Sequence, residues 1–292
     1  LITLTVIFNL NITSAQDYGN LQYALSGYSY RSVGPAFMSG RIADIAIDSN
    51  NENVWYVAVG SGGVWKTKNA GTTWMPLTDN MPFYSTGSVT IDPIDSSRIW
   101  VGTGENVAGR HVGIGHGIYL SKDSGSTWDN MGLKKSEHIS KIIVHPDNSD
   151  IIWVASQGPL WNSGGDRGLF MSNDGGNTWS NKLYVNEWTG VTDIIIDPTN
   201  PDILYAATWQ RHRNVASLID GGPGTSIYKS TDGGNVWVEI DSGLPSSNMG
   251  KIGLAISPIK PEVIYAAIEL DRRSGAVYRS DNSGGAWKKM SN

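Results

Sequence analysis

A pattern of eight residues, Ser/Thr-x-Asp/Asn-x-Gly-x-x-Trp, occurs five times and constrains the fold of this chain more than any other feature. The copies recur at intervals of about fifty residues, which is the period of a propeller or solenoid repeat. They occupy Thr67–Trp74, Ser121–Trp128, Ser172–Trp179, Ser230–Trp237 and Ser280–Trp287. The chain is therefore expected to be an array of five similar units.

A second pattern precedes the first in phase: an apolar segment, a turn that often contains proline, and an aromatic-bearing segment. In the third unit, alternating strand-forming and turn-forming residues predict strands at 139–144, 151–155, 168–172 and 178–183. Four strands in each tandem unit are typical of a propeller blade. The sequence thus predicts an all-β propeller of four-stranded antiparallel blades, with the apolar first strand innermost and the Trp-bearing fourth strand outermost.

The repeat also predicts the organisation of the chain. Blades are expected at about 38–80, 86–133, 137–184, 189–243 and 248–292, within a propeller region 33–292 that forms an incomplete ring truncated at its C-terminus. Residues 16–32 form an N-terminal segment in which 27–32 resembles an outer strand that closes the ring. Residues 1–15 begin with the apolar run LITLTVIFNL and are interpreted as part of a signal peptide, which predicts a periplasmic, cell-surface or secreted protein.

The conserved spacing inside the eight-residue pattern suits a turn between the third and fourth strands. A carboxylate or amide oxygen can accept backbone N–H bonds there, and the tryptophan can pack on neighbouring strands. Two copies carry asparagine in place of aspartate, which suits a turn acceptor better than a calcium ligand. The predicted structural residues are Asn69, Trp74, Asp123, Trp128, Asp174, Trp179, Asp232, Trp237, Asn282 and Trp287.

Composition narrows the function classes. The chain has 22 Lys and Arg against 27 Asp and Glu, a net charge of -5, which argues against nucleic acid as a partner. It has no cysteine and therefore no thiol nucleophile or thiolate metal site. Glu105, His111 and His116 share one loop but match no recognised ligand spacing. We expect no metal, no cofactor and no membrane-spanning segment.

The unusual polar and aromatic residues collect in the longer loops, which the strand order predicts to share one rim. Tryptophan faces suit sugar rings, and arginine suits carboxylates, so these loops could form a groove for a protein, peptide or glycan. A solvated rim with internal salt bridges is the alternative. The ligand-binding candidates are Arg110, His111, His138, Trp161, Arg167, Trp188, Trp209, Arg211 and Arg213.

The five copies resemble Asp boxes, also called BNR repeats, which occur in sialidase-like propellers, in xyloglucanases and in the Vps10 domain of sortilin-like receptors. The resemblance covers essentially residues 30–290. The segments Ser39–Ile42, Gly62–Lys66 and Gly102–Glu105 are similar to those of large exported bacterial proteins of sortilin/Vps10-like or BNR-repeat type. In such proteins the Asp boxes lie on the side opposite the usual binding face, so the resemblance implies fold more than function.

The resemblance also bears on catalysis. A xyloglucanase has a catalytic aspartate just ahead of Gly-Gly in its first blade, and Gly60 stands at the matching position here. The sialidase Arg-Ile-Pro motif is likewise incomplete, because Ala43 follows Arg41 and Ile42. Glu105, Glu187 and Asp220 remain as candidate catalytic carboxyl groups. We therefore expect an exported, non-catalytic binding propeller; a glycoside hydrolase of xyloglucanase or sialidase type and a purely scaffolding protein are the alternatives.

Overall fold

The computed structural model describes residues 41–270 and 274–291, and this part of the chain is all-β, as predicted. Five four-stranded antiparallel sheets follow one another along the chain. The predictions of a signal peptide at 1–15 and of a ring-closing strand at 27–32 fall outside the described residues. No helix in the described ranges is long and apolar enough to cross a membrane.

The first three blades each consist of four strands and no further element. Blade 1 contains β1 (Ile42–Ile47), β2 (Trp55–Val59), β3 (Gly63–Thr67) and β4 (Met75–Pro76); blade 2 contains β5 (Thr86–Ile91), β6 (Ile99–Thr103), β7 (Ile118–Ser121) and β8 (Asp129–Asn130); blade 3 contains β9 (Ile139–His145), β10 (Asn148–Ser156), β11 (Gly168–Ser172) and β12 (Ser180–Leu183). In each blade the strands pair in chain order.

The last two blades differ by one insertion. Blade 4 contains β13 (Thr189–Ile196), β14 (Leu204–Gln210), β17 (Ile227–Ser230) and β18 (Val238–Glu239), with the hairpin β15 (His212–Arg213) and β16 (Leu218–Ile219) between its second and third strands; blade 5 contains β19 (Ile252–Ile256), β20 (Ile264–Ile268), β21 (Ala276–Ser280) and β22 (Lys288–Lys289). The sequence analysis did not predict this hairpin, because its strands are only two residues each.

Each eight-residue pattern folds as a turn closed by its own side chains. In blade 3, the Ser172 hydroxyl donates to Asp174 Oδ1 at 2.7 Å and accepts from the Gly176 N–H at 2.8 Å. Asp174 Oδ1 also accepts from the Thr178 N–H at 2.9 Å. The fourth strand begins only after Trp179, at Ser180, which corrects the predicted start at 178. The side-chain bonds hold the backbone away from the sheet until that point.

The inner strands of neighbouring blades are joined by side-chain hydrogen bonds. Asp44 accepts from the Val89 N–H at 3.2 Å, and Asp193 accepts from the Leu254 N–H at 2.8 Å. The Thr90 hydroxyl donates to the Ile142 carbonyl at 2.9 Å. These bonds place the first strands of successive blades side by side, as the prediction of innermost first strands requires.

The hydrophobic core lies between the blades, where an aromatic residue of each second strand lies under the Asp-box turn of the next blade. The Tyr56 hydroxyl donates to the Ser124 carbonyl at 3.2 Å, and Trp153 Nε1 donates to the Gly233 carbonyl at 3.1 Å. The box tryptophan packs in the opposite direction, since Trp179 Nε1 donates to the Met131 carbonyl of the preceding blade at 2.7 Å. Every box in blades 2 to 5 therefore ties two blades together.

Candidate binding rim

The loop between β6 and β7, residues 104–117, crosses the rim opposite the Asp boxes and contacts blades 4 and 5. Its backbone carbonyls accept hydrogen bonds from cationic side chains more than a hundred positions away: Val107 from Arg211 at 2.9 Å and Ala108 from Arg213 at 2.7 Å. Lys251 Nζ donates to the Asn106 carbonyl at 2.8 Å. The rim loops therefore meet one another, as the strand order predicted, and one of them occupies the space between the others.

Two of the cations that hold this rim are buried. Arg211 is fully buried, and burial together with the charge of Arg167 lowers its pKa to about 9. Arg167 is also buried, donates to the Gln157 and Trp188 carbonyls at 2.7 and 3.1 Å, and has a pKa lowered to about 10 by burial. In the described ranges no carboxylate lies within ion-pair distance of either guanidinium. Backbone carbonyls are therefore the direct partners of both cations.

Lys251 and His138 are both affected by the charge of Arg211. Burial, followed by the charge of Arg211, lowers the pKa of Lys251 to about 8. The same two causes lower the pKa of His138 to about 3, so its buried ring is neutral at pH 7. Lys251 and Arg211 also lie over the ring of Trp209, at 5.5 and 5.0 Å from the ring centre, which adds a favourable cation–π contact.

Asp220 and Glu137 interact with the buried cations without forming ion pairs at hydrogen-bond distance. Burial and the charge of Glu269 raise the pKa of Asp220, whereas the charges of Arg211 and Lys251 oppose that rise. Burial likewise raises the pKa of Glu137, against the charges of Arg167 and Arg211. On the rim, the buried cations contact backbone carbonyls. The nearby carboxyl groups of Asp220 and Glu137 have raised pKa values, so their charged forms are disfavoured.

Glu105, a candidate catalytic group, is 2% exposed and completely engaged. It forms an ion pair with Arg41, accepts from the Ser61 hydroxyl at 2.9 Å and accepts from the Gly113 N–H at 2.9 Å. Burial acts to raise its pKa, but these hydrogen bonds together outweigh burial and lower the pKa below its ordinary value. Glu105 is therefore an ionised, inward-facing group.

Glu105 also fills the space beside Gly60, the position that the resemblance to xyloglucanases matches to a catalytic aspartate. A Cβ atom added to Gly60 would lie 2.7 Å from Glu105 Oε1. Such a contact is shorter than any real Cβ contact, so a larger residue at 60 would require Glu105 to move. A side chain at 60 and the present position of Glu105 exclude each other.

Beside the hairpin β15–β16 lies a recess of about 330 Å³ that the sequence did not predict. Trp188 and His212 meet at its wall with ring centres 4.2 Å apart, and Ile219, 48% exposed, lies at its edge. The half-buried tryptophan and the exposed isoleucine give this part of the rim an apolar surface.

The structure divides the predicted site residues into two groups. His138, Arg167, Trp209 and Arg211 are buried and present no surface to a ligand, whereas Arg110, His111, Trp161, Trp188 and Arg213 are exposed or half-buried. Of the carboxyl candidates, Glu187 is exposed and Asp220 half-buried. In the described part of the chain no three His, Asp or Glu side chains converge as a metal site requires, and His111 bonds Arg41 at 3.0 Å instead.

Sequence reasoning missed three residues of the rim: Asn106, Gln157 and Lys251. The Asn106 side chain accepts from Lys251 Nζ at 2.8 Å and also bonds the Gln157 amide. The only sequence signal for Lys251 was its position as a single charged residue directly before the apolar strand β19. Its role depends on contact with Asn106 in a distant loop, which the sequence does not show.

Comparison with known proteins supports the class that the fold defines, an Asp-box β-propeller. No protein-family model matches the chain. A xyloglucanase of Paenibacillus sp is 25% identical over 293 residues, 90% of this chain and 27% of the relative, and a xyloglucanase of Hypocrea jecorina is 25% identical over 303 residues, 91% and 34%. The chain thus spans about a quarter to a third of these curated relatives.

Solved structures agree with this class. The GH74 xyloglucanase of Xanthomonas campestris superposes with a TM-score of 0.66 at 18% identity, covering 85% of this chain and 38% of that chain. YCF48 bound to D1 peptide superposes with a TM-score of 0.54 at 18% identity, covering 89% and 70%. The chain is therefore a β-propeller related in sequence to GH74 xyloglucanases and similar in fold to Ycf48.

Proposed function

We propose that this chain is a non-catalytic binding propeller that captures an extended protein, peptide or glycan ligand on its loop rim. The observation that carries the proposal is that the Glu105 carboxylate occupies the space that a side chain at residue 60 would enter. The chain is related to xyloglucanases, but glycine stands where their catalytic aspartate would, and a different carboxylate fills the adjacent space.

Glu105 is not a replacement for that aspartate as a proton donor. Glycoside hydrolysis needs one carboxyl group that is protonated near the scissile bond. The hydrogen bonds from Gly113, Arg41 and Ser61 lower the pKa of Glu105 and stabilise its charged form. Its burial also removes it from contact with a substrate. Glu105 thus acts as a structural link between blades 1 and 2.

The contacts within the rim favour an extended ligand. Arg213 and Lys251 already bind the carbonyls of a chain segment, Asn106 to Ala108, that crosses between blades. An extended peptide presents carbonyls in the same manner, and a glycan presents hydroxyls that donors of this kind can bind. The exposed Arg110 and the half-buried Trp161 supply additional contacts beside this segment. A fold neighbour whose structure contains a bound D1 peptide supports a peptide or protein ligand.

Binding of the full chain to glycan and peptide arrays, followed by titration of the ligands found, tests this proposal. Arg110→Ala and Trp161→Ala are each expected to weaken binding by about ten-fold, as loss of a central contact does. Lys122→Ala is the control, because Lys122 is exposed on the opposite, Asp-box edge. Equal losses from Lys122→Ala and the rim variants would overturn the assignment of binding to the rim.

The sequence relation to xyloglucanases and the raised pKa of Asp220 favour a second candidate, a glycoside hydrolase. A carboxyl group with a raised pKa is what a general acid requires. Release of reducing ends from xyloglucan by the full chain, lost in Asp220→Asn with the fold intact, would establish hydrolysis and overturn the non-catalytic proposal. Absence of release at an enzyme concentration at which a xyloglucanase control is active supports binding alone.

We also propose that the protein is exported, on the basis of the apolar run at its N-terminus. Fractionation of cells that express the chain from its natural gene tests this. Recovery of the protein in the cytosolic fraction alone would overturn export.

A further inference from the structure

Residues 106–112 form a strap, the part of the loop between β6 and β7 that reaches blades 4 and 5. The carbonyls of three successive strap residues, 106 to 108, each accept a hydrogen bond from a different cation: Lys251 at 2.8 Å, Arg211 at 2.9 Å and Arg213 at 2.7 Å. A row of donors that meets successive carbonyls can hold a peptide main chain. The strap therefore lies on these donors as a peptide ligand would.

Most of these contacts do not depend on the side chains of the strap. The three cations bind backbone carbonyls, which every peptide has. The exception is Asn106, whose side-chain oxygen also accepts from Lys251 Nζ at 2.8 Å and from the Gln157 amide. A separate peptide with asparagine at the first of three positions can therefore reproduce these contacts.

The base of the strap is closed without the cations. The Glu105 N–H donates to the Gly113 carbonyl at 3.0 Å, and the Gly113 N–H donates to the Glu105 carboxylate at 2.9 Å. Outside this pair, Gly104 and Gly117 have φ of 87° and 95°, and an added Cβ atom at either position would overlap a backbone carbonyl oxygen. The strap can therefore leave the donors while both ends of its loop stay in place.

The donors are also held by groups outside the strap. Arg211 and Lys251 lie over the Trp209 ring, at 5.0 and 5.5 Å from its centre. The Arg213 N–H donates to the Leu160 carbonyl at 2.9 Å, which anchors the start of the hairpin β15–β16. Among the described residues, the Nε atoms of Arg211 and Arg213 have no acceptor. The donors are thus preorganised, and the strap uses only part of their capacity.

We propose that Lys251, Arg211 and Arg213 form a peptide main-chain site that the strap occupies as an internal ligand. Arg211 is fully buried while the strap is in place, so a peptide in solution reaches it only by displacing the strap. The site rests on the proposed function of the rim and narrows its ligand class to peptides, because successive backbone carbonyls are a feature of peptides and not of glycans. The strap is tethered at both ends and competes at an effective concentration of about a millimolar.

Replacement of residues 106–112 by the dipeptide Asn-Gly tests the proposal, because a two-residue turn can connect the closed pair of Glu105 and Gly113. The probe is a labelled, end-capped peptide with the sequence of residues 106–111, Asn-Val-Ala-Gly-Arg-His, measured by fluorescence anisotropy. The peptide also supplies the arginine side chain that the replacement removes. It is expected to bind the replaced chain at least about ten-fold more tightly than the unsubstituted chain.

Variants of the replaced chain test whether the peptide uses the same donors. Arg213→Ala removes the donor to the third carbonyl and should weaken peptide binding about ten-fold. Lys122→Ala, on the exposed Asp-box edge, is the control and should leave peptide binding unchanged. Equal effects of the two variants would place the peptide elsewhere and overturn the proposal.

Point variants of the unsubstituted loop make the test independent of the folding of the replaced chain, which circular dichroism verifies. Asn106→Ala removes the side-chain acceptor of Lys251 and Gln157, loosens the strap and should strengthen peptide binding about five-fold. Ile114→Ala, in the same loop but outside the strap and 49% exposed, is the matched control and should leave peptide binding unchanged.

A xyloglucan heptasaccharide is the comparison probe. A gain in affinity for the heptasaccharide but not for the peptide on replacement of the strap would show that the ligand class is wrong. Equal peptide binding by the replaced and unsubstituted chains, or no gain with Asn106→Ala, would overturn the internal-ligand role. If array ligands bind the rim with the same affinity with and without the strap, the proposed function stands and this site does not. If only the replaced chain binds, and binds the peptide, the site stands and the proposed function of the unsubstituted chain does not.

Discussion

The two edges of the blades are built on different principles. On the Asp-box edge, five turns repeat one local set of hydrogen bonds, and each turn closes on residues no more than four positions apart. On the loop rim, the main contacts join residues more than a hundred positions apart, and no two blades contribute the same ones. Repeated local hydrogen bonds stabilise the Asp-box edge. The contacts of the loop rim differ from blade to blade, so this rim can form a specific binding surface.

The largest expected difference between the edges concerns tryptophan. Trp153 is fully buried beneath the Asp box of blade 4, so Trp153→Ala should reduce the free energy of unfolding by about 3–5 kcal/mol. Trp161 is half-buried on the rim, and Trp161→Ala should cost about 1 kcal/mol or less. Urea unfolding of both variants measures the difference. Similar costs would contradict the view that stability resides mainly at the box edge.

Two glycines with positive φ sharpen the same contrast. A Cβ atom at Gly176 in the blade 3 box would lie 2.6 Å from Trp100, whereas one at Gly164 in a rim loop would meet nothing within 4 Å. Gly176→Ala combines backbone strain with overpacking and should cost about 2–4 kcal/mol. Gly164→Ala carries the strain alone and should cost about 1–2 kcal/mol. Equal unfolding midpoints would show that the tryptophan moves aside at no cost.

The rim should respond to alkaline pH through Lys251. Its pKa in the folded chain is about 8, below the ordinary lysine value of about 10.4, so the unfolded chain binds more protons between these values. The free energy of unfolding should therefore gain a contribution as pH rises from about 8 towards 10. Lys251→Met should remove that gain, and Lys122→Met, on the box edge, should retain it. Identical pH profiles for Lys251→Met and the unsubstituted chain would refute this assignment.

How much the sequence could predict follows from the same difference in contact range. The Asp boxes were predictable residue by residue, because the hydrogen bonds between Ser172, Asp174 and Thr178 involve neighbours in the sequence. The burial of Arg211 was not, since the Val107 carbonyl that it binds lies 104 positions away. From the sequence alone, a charged residue in a long loop is expected to be exposed to solvent. Its burial becomes evident only when the position of the covering loop is known.

The contact between Gly60 and Glu105 was partly predictable, unlike the burial of Arg211 and less completely than the Asp boxes. The resemblance to xyloglucanases identified the missing aspartate at 60, and the sequence identified Glu105 as unusual. That the Glu105 carboxylate lies beside Gly60 depends on the distance between blades 1 and 2, which no spacing within one blade specifies.

The smallest expected effect concerns acid and the Asp boxes. Hydrogen bonds from Thr127 and Thr178 lower the pKa of Asp123 and Asp174 to about 2, below the ordinary aspartate value of about 3.9. The stability that these carboxylates contribute is therefore complete above about pH 4 and is lost as pH falls towards 2.

Asparagine should abolish this acid dependence without disrupting the turn. In the first box, Asn69 Oδ1 still accepts from the Thr73 N–H at 2.9 Å, and its amide donates to the Thr73 hydroxyl at 2.9 Å, which reverses the direction of the bond to the threonine hydroxyl. The double variant Asp123→Asn, Asp174→Asn should therefore unfold like the unsubstituted chain at pH 6 and lose less stability between pH 4 and pH 2. Thermal unfolding at both ends of that range measures this loss. If the double variant lost as much stability in acid as the unsubstituted chain, the dependence would have to come from other carboxylates, such as Asp232 in the fourth box or Glu105 on the rim.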